Sequence, residues 1–294
     1  MAAVVVAILS LSFGNGLAAP LAIPQHDYRF ALAEEINLMS TNSDARSEIT
    51  IAVFVDFENL ALGSRESKHG RFQVDLVLKR LLERGRIVFK RGYCDWTRYK
   101  EYMKEFHANG FEMVDIPHST VSGKNSADIR MVVDAIDLCY SKTHIDSFAL
   151  LTGDSDFSPL ASKLKENDKR VIGCGVRSST SDLLANNCDE FVFYDDLVRE
   201  SERAKPKPKK GQSPKQQEAF ERLAATISSL EAEYDPLWGS IVKQTVKRVY
   251  PGFNESYYGY RSFSDLLVDA AKNGYIGLEF DETRGNYKLH SRDS

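Results

Sequence analysis

The residues best suited to chemistry in this chain of 294 amino acids are aspartates in short acidic stretches. One stretch is Asp56-Phe57-Glu58-Asn59 and another is Gly153-Asp154-Ser155-Asp156, with Asp128 between them along the chain. Carboxylate oxygens are the ligands that Mg²⁺ and Mn²⁺ prefer, and a divalent cation offsets the repulsion among neighbouring carboxylates. If the fold brings these residues together, Asp56, Asp128, Asp154 and Asp156 predict a metal site.

Apolar runs of strand length alternate with helical patterns between residues 49 and 200. The run Ile51–Val55 is typical of a buried strand and ends at Asp56, and Phe148–Leu151 ends just before the second acidic stretch. Strands that alternate with helices indicate an α/β fold with a doubly wound parallel sheet. Ligands bind at the carboxyl ends of such strands, where both acidic stretches are expected. The other predicted strands are Arg86–Gly92, Phe111–Ile116 and Val171–Val176, and the predicted helices are Val74–Leu82, Tyr99–His107, Ala127–Tyr140 and Pro159–Glu166.

Each acid also has an ordinary structural interpretation. Aspartates after strands often cap the next helix, and Asp156 is well placed to do so. The metal interpretation is favoured because several aspartates are expected at one edge, including Asp128 at the start of the helix that leads into the fourth strand. Asp134 lies on that helix about 9 Å further along. Asp134 shares a face of this helix with Arg130. A solvated salt bridge between the two is therefore favoured, and the alternative is that Asp134 supports the metal ligands from behind.

Polar residues beside the acids are candidates for contact with a substrate. Asn59 could orient a water molecule or a phosphate, and Ser155 lies between two aspartates. Lys124 belongs to a polar loop of residues 119–126 whose amides could meet a phosphate. Asn59 and Lys124 would serve equally well as ordinary turn and loop residues. Neither a GxGxxG after the first strand nor a GxxxxGK[ST] occurs in the sequence, which argues against dinucleotide binding and P-loop chemistry.

Composition indicates an ordinary globular protein. With 43% hydrophobic and 27% charged residues the chain can bury a core, and a formal net charge of −4 gives no general attraction to nucleic acid. The 4 cysteines lie far apart without a CxxC pair, so a zinc site is not expected. Three of them lie in apolar patterns and are predicted to be small buried residues. This cysteine usage fits a reduced, cytoplasmic setting.

The first 48 residues are predicted to be an extension outside the folded part. Residues 1–23 are apolar like an export signal but lack its basic start, and glycines interrupt them, so neither a membrane helix nor a membrane partner is expected. Translation is expected to begin near Met39, with residues 1–38 as an unstructured extension. If residues 1–23 were a true signal, the protein would be secreted.

A second domain is predicted after a linker of residues 201–217 that is rich in lysine and proline. Residues 218–290 contain three helical patterns followed by a pair of strands, which is the layout of a winged-helix-like α+β domain. Candidate contacts with nucleic acid in this domain are Lys243, Lys247, Arg248 and Arg261. Tyr257, Tyr258 and Tyr260 could stack on unpaired bases, although packing in the core is the favoured interpretation.

The ordered motifs resemble those of a known family. Phe54-Val55-Asp56-Phe57-Glu58-Asn59-Leu60, then Lys124-Asn-Ser-Ala-Asp128 with Asp134, then Leu151-Thr-Gly-Asp154-Ser-Asp156-Phe157 are similar to the NYN family of PIN-like ribonucleases. This resemblance covers residues 49–200 and implies that Asp56, Asp128, Asp154 and Asp156 bind Mg²⁺ or Mn²⁺ and act on RNA. The carboxyl-terminal part, with Tyr258-Gly-Tyr-Arg-Ser-Phe263, resembles the LOTUS (OST-HTH) domain. The pairing of the two is typical of bacterial LabA-like proteins.

Other functions stay open at this point. A regulator that binds RNA without cutting it would keep the same fold. A phosphatase of the haloacid-dehalogenase type is a weaker alternative, because that chemistry requires an aspartate where Glu58 stands. The LOTUS-like domain is expected to tether RNA through a flexible linker, although it could instead recruit a protein partner.

Overall fold

The computed structural model describes residues 48–67, 69–117, 125–203 and 213–292. Lys124, the predicted extension up to residue 47 and the middle of the predicted linker lie outside the described residues. Within the described part of the chain, no helix is long and apolar enough to cross a membrane.

The described residues of the first domain contain a six-stranded parallel sheet in the order β3-β2-β1-β4-β5-β6. The chain starts at the centre with β1, builds outward to β3 on one side, and then returns beside β1 to build the other side. The predicted doubly wound sheet is therefore confirmed, with β6 as a strand that the sequence did not predict. The strands are β1 Thr50–Asp56, β2 Arg86–Cys94, β3 Glu112–Asp115, β4 Ser147–Leu151, β5 Arg170–Gly175 and β6 Glu190–Phe193.

Helices cover both faces of this sheet because both faces are apolar. In β1, Ile51, Val53 and Val55 enter one hydrophobic core, whereas Ala52 and Phe54 enter the other, as the two-residue repeat of a strand requires. Helices α1, α2, α3 and α7 pack on the first core, and α4, α5 and α6 pack on the second. The helices are α1 Phe57–Glu66, α2 Val74–Arg84, α3 Lys100–Ala108, α4 Ser126–Ser141, α5 Ser158–Glu166, α6 Asp182–Asn187 and α7 Tyr194–Arg203.

A smaller α+β region with its own core follows, as the sequence predicts. Its strands form a separate antiparallel sheet in the order β7-β9-β8, and the short strand β7 was not predicted. The predicted linker is shorter than expected, because α7 extends to Arg203 and a capping box of Ser213 and Gln216 starts α8 at Pro214. The elements are α8 Pro214–Leu230, β7 Leu237–Trp238, α9 Gly239–Val249, α10 Phe263–Lys272, β8 Ile276–Asp281 and β9 Asn286–Ser291.

The second domain contacts the first at the carboxyl end of α2. The guanidinium of Arg248 donates hydrogen bonds to the main-chain carbonyl of Leu82 and, at 2.9 Å, to that of Glu83. Arg84 forms an ion pair with Glu233 at 3.3 Å. Because α2 ends just before β2 begins, this contact lies at the amino edge of the sheet, opposite the edge where Asp56 ends β1. The second domain is therefore docked on the first domain, in contrast to the flexible tether that the linker composition suggests.

The cysteines follow the prediction of small buried residues. Cys94, Cys139 and Cys174 are buried and Cys188 is half-buried, all as free thiols. Burial raises the pKa of Cys174 to about 12, so this thiol stays protonated at neutral pH.

Candidate metal-binding and catalytic site

The acidic stretches meet where the order of the strands reverses. Asp56 is the last residue of β1, and the chain leaves the neighbouring strand β4 through Thr152 and Gly153 to reach Asp154. Asp128 lies in the first turn of α4, a helix that leads into β4 and therefore starts at the carboxyl edge. The crevice at such a reversal is the usual ligand site of an open parallel sheet.

Asp56 is the most buried of these acids, with 8% of its surface exposed. Its Oδ2 accepts a hydrogen bond of 2.8 Å from the Thr152 hydroxyl, and its Oδ1 accepts one of 3.4 Å from the Asn59 amide at the start of α1. The pKa of Asp56 is raised to about 7, mainly by burial and also by the negative charges of Asp128 and Asp154, while the two hydrogen bonds oppose the shift. The folded chain thus holds an acid that is only partly ionised at neutral pH.

Asp154 and Asp156 are arranged by a short 3-10 helix, Ser155–Phe157. The Asp154 Oδ1 caps this helix by accepting a hydrogen bond of 2.9 Å from the Asp156 amide. The structural interpretation of Asp156 as a helix cap is therefore wrong, because Phe157 occupies the cap position of α5 and makes no side-chain cap bond. Asp156 is exposed beside Asp154, and the Ser155 hydroxyl lies 3.5 Å from the Asp154 Oδ1.

Asp128 shares the electrostatic environment of the other acids. The pKa of Asp128 is raised to about 6, mainly by burial and also by the charges of Asp154, Asp156 and Glu58. In the part of the chain that the structure describes, no cationic side chain is a cause of these shifts, and Arg98 forms an ion pair with Glu58, at 3.5 Å. Among the described residues no three acidic, histidine or cysteine side chains already form a ligand set. Oxygen donors that repel one another without a compensating charge match the requirements of a hard divalent cation.

Thr152 and Asn59 join the loops after β1 and β4. The sequence did not predict this structural role for either residue. The Thr152 hydroxyl donates to Asp56 and accepts a hydrogen bond of 3.1 Å from the Asp154 amide. The Asn59 Oδ1 accepts a hydrogen bond of 2.8 Å from the Gly153 amide, so Asn59 holds the two loops together. Only glycine fits at position 153, because a Cβ there would lie 2.4 Å from the Ser179 carbonyl oxygen. In the sequence, only the proximity of Asn59, Thr152 and Gly153 to the aspartates indicates such a role.

Asp134 forms the salt bridge with Arg130 that the sequence favours, but its side chain is largely buried. Its carboxylate accepts hydrogen bonds from the Arg91 guanidinium at 2.8 Å, the Tyr93 hydroxyl at 2.9 Å and the Arg130 guanidinium at 3.0 Å. Only 11% of the side chain is exposed, in contrast to the solvated pair that the sequence predicts. Asp134 contributes nothing to the pKa shifts of Asp56 or Asp128, which separates it from the acidic site.

The basic residues predicted to bind RNA in the second domain divide into two groups. Lys243 and Lys247 lie on α9 with their ammonium groups 3.7 and 3.8 Å from the Glu255 carboxylate, and Arg261 is exposed. Arg248 contacts α2 instead. Its assignment to substrate binding is therefore corrected, because its guanidinium is engaged by the carbonyls at the end of that helix.

The predicted interpretation of the tyrosines as packing residues holds for two of the three. Tyr258 is buried in the core of the second domain, and the Tyr260 hydroxyl donates a hydrogen bond of 2.6 Å to Asp269. Tyr257 is 57% exposed, with the Lys215 ammonium 4.3 Å from its ring centroid. Of the three rings, only Tyr257 offers an exposed face to a base.

Three comparisons with known proteins give matches, and one of them assigns the first domain to a family. The family model described as NYN domain matches residues 50–195. The chain is 29% identical over 147 residues to an uncharacterized protein of Methanocaldococcus jannaschii, which covers 50% of this chain and 56% of that relative. The chain thus spans little more than half the length of the curated relative that it matches. The crystal structure of a protein of unknown function from Vibrio parahaemolyticus has 25% sequence identity and a TM-score of 0.46, and covers 52% of this chain and 96% of that one.

Proposed function

Because residues 50–195 form an NYN domain of the PIN-like nuclease superfamily, we propose that this protein is a metal-dependent ribonuclease that hydrolyses RNA phosphodiesters. The observation that carries the proposal is the convergence of Asp56, Asp128 and Asp154 at the reversal of strand order. The charges of Asp128 and Asp154 raise the pKa of Asp56, the charge of Asp154 raises that of Asp128, and no cationic side chain among the described residues lowers either pKa. Keeping such groups close together is unfavourable for the folded chain alone, and it is explained by a cation that binds there.

In the proposed mechanism, Asp56, Asp128, Asp154 and Asp156 hold Mg²⁺ or Mn²⁺. A cation held by these residues would supply a water molecule of lowered pKa and would neutralise charge on the phosphate. Asp56 is fixed by Thr152 and by the start of α1, so its carboxylate keeps one orientation in a site of low polarity. Because the pKa of Asp56 is raised to about 7, this side chain would release its proton on holding a cation near neutral pH.

Other residues in this proposal position the substrate and the loops. Asn59 keeps the two acidic loops in register, and its remaining amide group is available to orient a water or a phosphate. Ser155 lies between the acids and is proposed to contact the phosphate. Lys124 keeps its proposed role as a phosphate contact, although it lies outside the described residues. Asp134 supports the fold through its ion pairs rather than the metal ligands.

For the second domain we propose RNA binding through Lys243, Lys247 and Arg261, as a LOTUS-like module. The support is the winged-helix layout and the exposed basic residues on α9. Because this domain contacts the amino edge of the sheet, it would hold RNA away from the acids rather than complete the catalytic site. The alternative is recruitment of a protein partner by the same module.

The test is incubation of the purified full chain with end-labelled RNA and DNA of one sequence, in Mn²⁺ and in EDTA. We expect cleavage of RNA that requires the metal. The variant Asp154→Asn should lose at least about a hundredfold in rate, because the ligand charge is lost. It should keep its fold, because asparagine also caps the helix at Ser155. The matched control is Asp137→Asn, which removes an exposed acid from the same domain.

The same experiment separates the alternatives. RNA binding without metal-dependent cleavage would favour a regulator that has lost turnover. Rapid hydrolysis of a small aryl phosphate through an aspartyl-phosphate at Asp56 would favour a phosphatase. Asp56 is poorly suited to that role, because burial keeps it partly protonated near neutral pH.

A further inference from the structure

A cavity of about 240 Å³ lies at the carboxyl edge of the sheet, beside the acidic site. It is bounded by residues that follow β2, by the end of β3 and by α3. Asp115 ends β3, which is two strands from β1. Because neighbouring strands are separated by about 4.8 Å, this cavity begins roughly 10 Å from Asp56, which is within the reach of a neighbouring nucleotide. The lining residues are Trp96, Thr97, Lys100, Met103, Met113 and Asp115.

The cavity has a rigid aromatic and thioether wall. The Trp96 ring is 3% exposed and stacks on Phe57, with ring centroids 5.3 Å apart, and its centroid lies 5.0 Å from that of Phe106. Met103 and Met113, both half-buried, add polarisable sulfur groups that pack well against flat rings. A nucleobase would offer a flat apolar surface to this wall.

Asp115 determines which kind of ligand suits this cavity. Its Oδ1 accepts a hydrogen bond of 2.9 Å from the Trp96 amide, which fixes the carboxylate at the cavity. Within the described part of the chain, no hydrogen bond to its Oδ2 is seen. A carboxylate repels a phosphate but accepts hydrogen bonds from the amino group of a base. The exposed Lys100 lies at the same cavity and could meet the neighbouring phosphate.

We propose that this cavity is a base-binding subsite, in which Asp115 accepts a hydrogen bond from the exocyclic amino group of one unpaired base. The inference rests on the proposed ribonuclease function, since it assigns the position of a nucleotide next to the cleaved bond. The hydrogen bond to Asp115 would make the protein prefer one base over another at this position. Cytosine carries an amino group that can donate a hydrogen bond to the Asp115 carboxylate. Uracil carries the O4 acceptor at the same ring position and cannot donate this bond.

The test uses cytidine and uridine, two nucleosides that differ at this amino group. The chain contains 2 tryptophans, so the variant Trp238→Phe leaves Trp96 as the reporter of fluorescence. In EDTA, we expect saturable quenching of Trp96, with cytidine binding about tenfold more tightly than uridine, the usual effect of one hydrogen bond to a charged group. Asp115→Asn keeps an oxygen for the Trp96 amide but replaces the other oxygen with a donor, so the preference should fall to near one or reverse. The control Asp137→Asn should keep it.

Cleavage assays separate the failure of this inference from the failure of the ribonuclease proposal. Selective quenching without cleavage of any RNA would support the subsite and refute the ribonuclease. Cleavage of RNA without saturable quenching would overturn the subsite and leave the ribonuclease intact. An unchanged ratio of cytidine to uridine affinity in a folded Asp115→Asn variant would also overturn it.

Discussion

Asp56 offers the most direct physical test of the acidic site, because its burial has a cost that can be measured without substrate. The pKa of this side chain is raised from 3.8 to about 7 in the folded state. The folded protein therefore binds the proton more tightly than the unfolded chain does. The contribution of Asp56 to stability should be fully present below the unfolded pKa near 4 and should be lost as pH rises through about 7, since the buried carboxylate must then ionise.

The magnitude follows from the size of this shift. A shift of about three units corresponds to about 4 kcal/mol at pH 8, at 1.36 kcal/mol for each unit. Asp56→Asn has almost the same shape and cannot ionise, and its amide can donate to Thr152 while its oxygen accepts from the Asn59 amide. In EDTA at pH 8, this variant should melt about 10 °C above the unmodified protein. The difference should vanish near pH 4.

The assay is thermal unfolding of both proteins from pH 4 to pH 8, in EDTA and again in Mn²⁺. Mn²⁺ should stabilise the unmodified protein and should stabilise Asp56→Asn much less, because binding to the folded state adds stability only where the ligands are intact. Asp137→Asn, which removes an exposed acid, should follow the unmodified protein throughout. Identical pH dependence of the unmodified protein and Asp56→Asn in EDTA would refute the argument, because Asp56 would then ionise without penalty.

Three further predictions concern the surroundings of this site and the second domain. Thr152→Val removes the hydroxyl that lowers the pKa of Asp56, so the pH at which metal-dependent cleavage is half-maximal should rise, which a pH–rate profile measures. Gly153→Ala should destabilise the fold by more than 1 kcal/mol in denaturant unfolding, because its Cβ would overlap the Ser179 carbonyl. Replacing both Lys243 and Lys247 with glutamine should weaken RNA binding and reduce the slope of log affinity against log salt by about 1.4–1.8 in anisotropy titrations, whereas unchanged binding would favour a protein partner.

The class of fold and the edge at which chemistry can occur are predictable from the amino-acid sequence. Alternating strand and helix patterns require a parallel sheet with both faces covered, and the acids that follow Val55 and Leu151 must then lie at its carboxyl edge. These inferences succeed because they depend on local periodicity and on the short distance from a strand to the residue after it. The helices of the second domain were predictable for the same reason.

The contacts of each side chain, by contrast, are known only once the chain has folded. The burial that shifts the pKa of Asp56, the carbonyls that engage Arg248, and the Arg91 and Tyr93 donors to Asp134 all come from segments distant in the chain. The cavity beside Trp96 likewise depends on β2, β3 and α3 meeting at one edge. Burial and partners are set by packing between segments, whereas a sequence pattern specifies only which face of its own helix or strand a residue occupies.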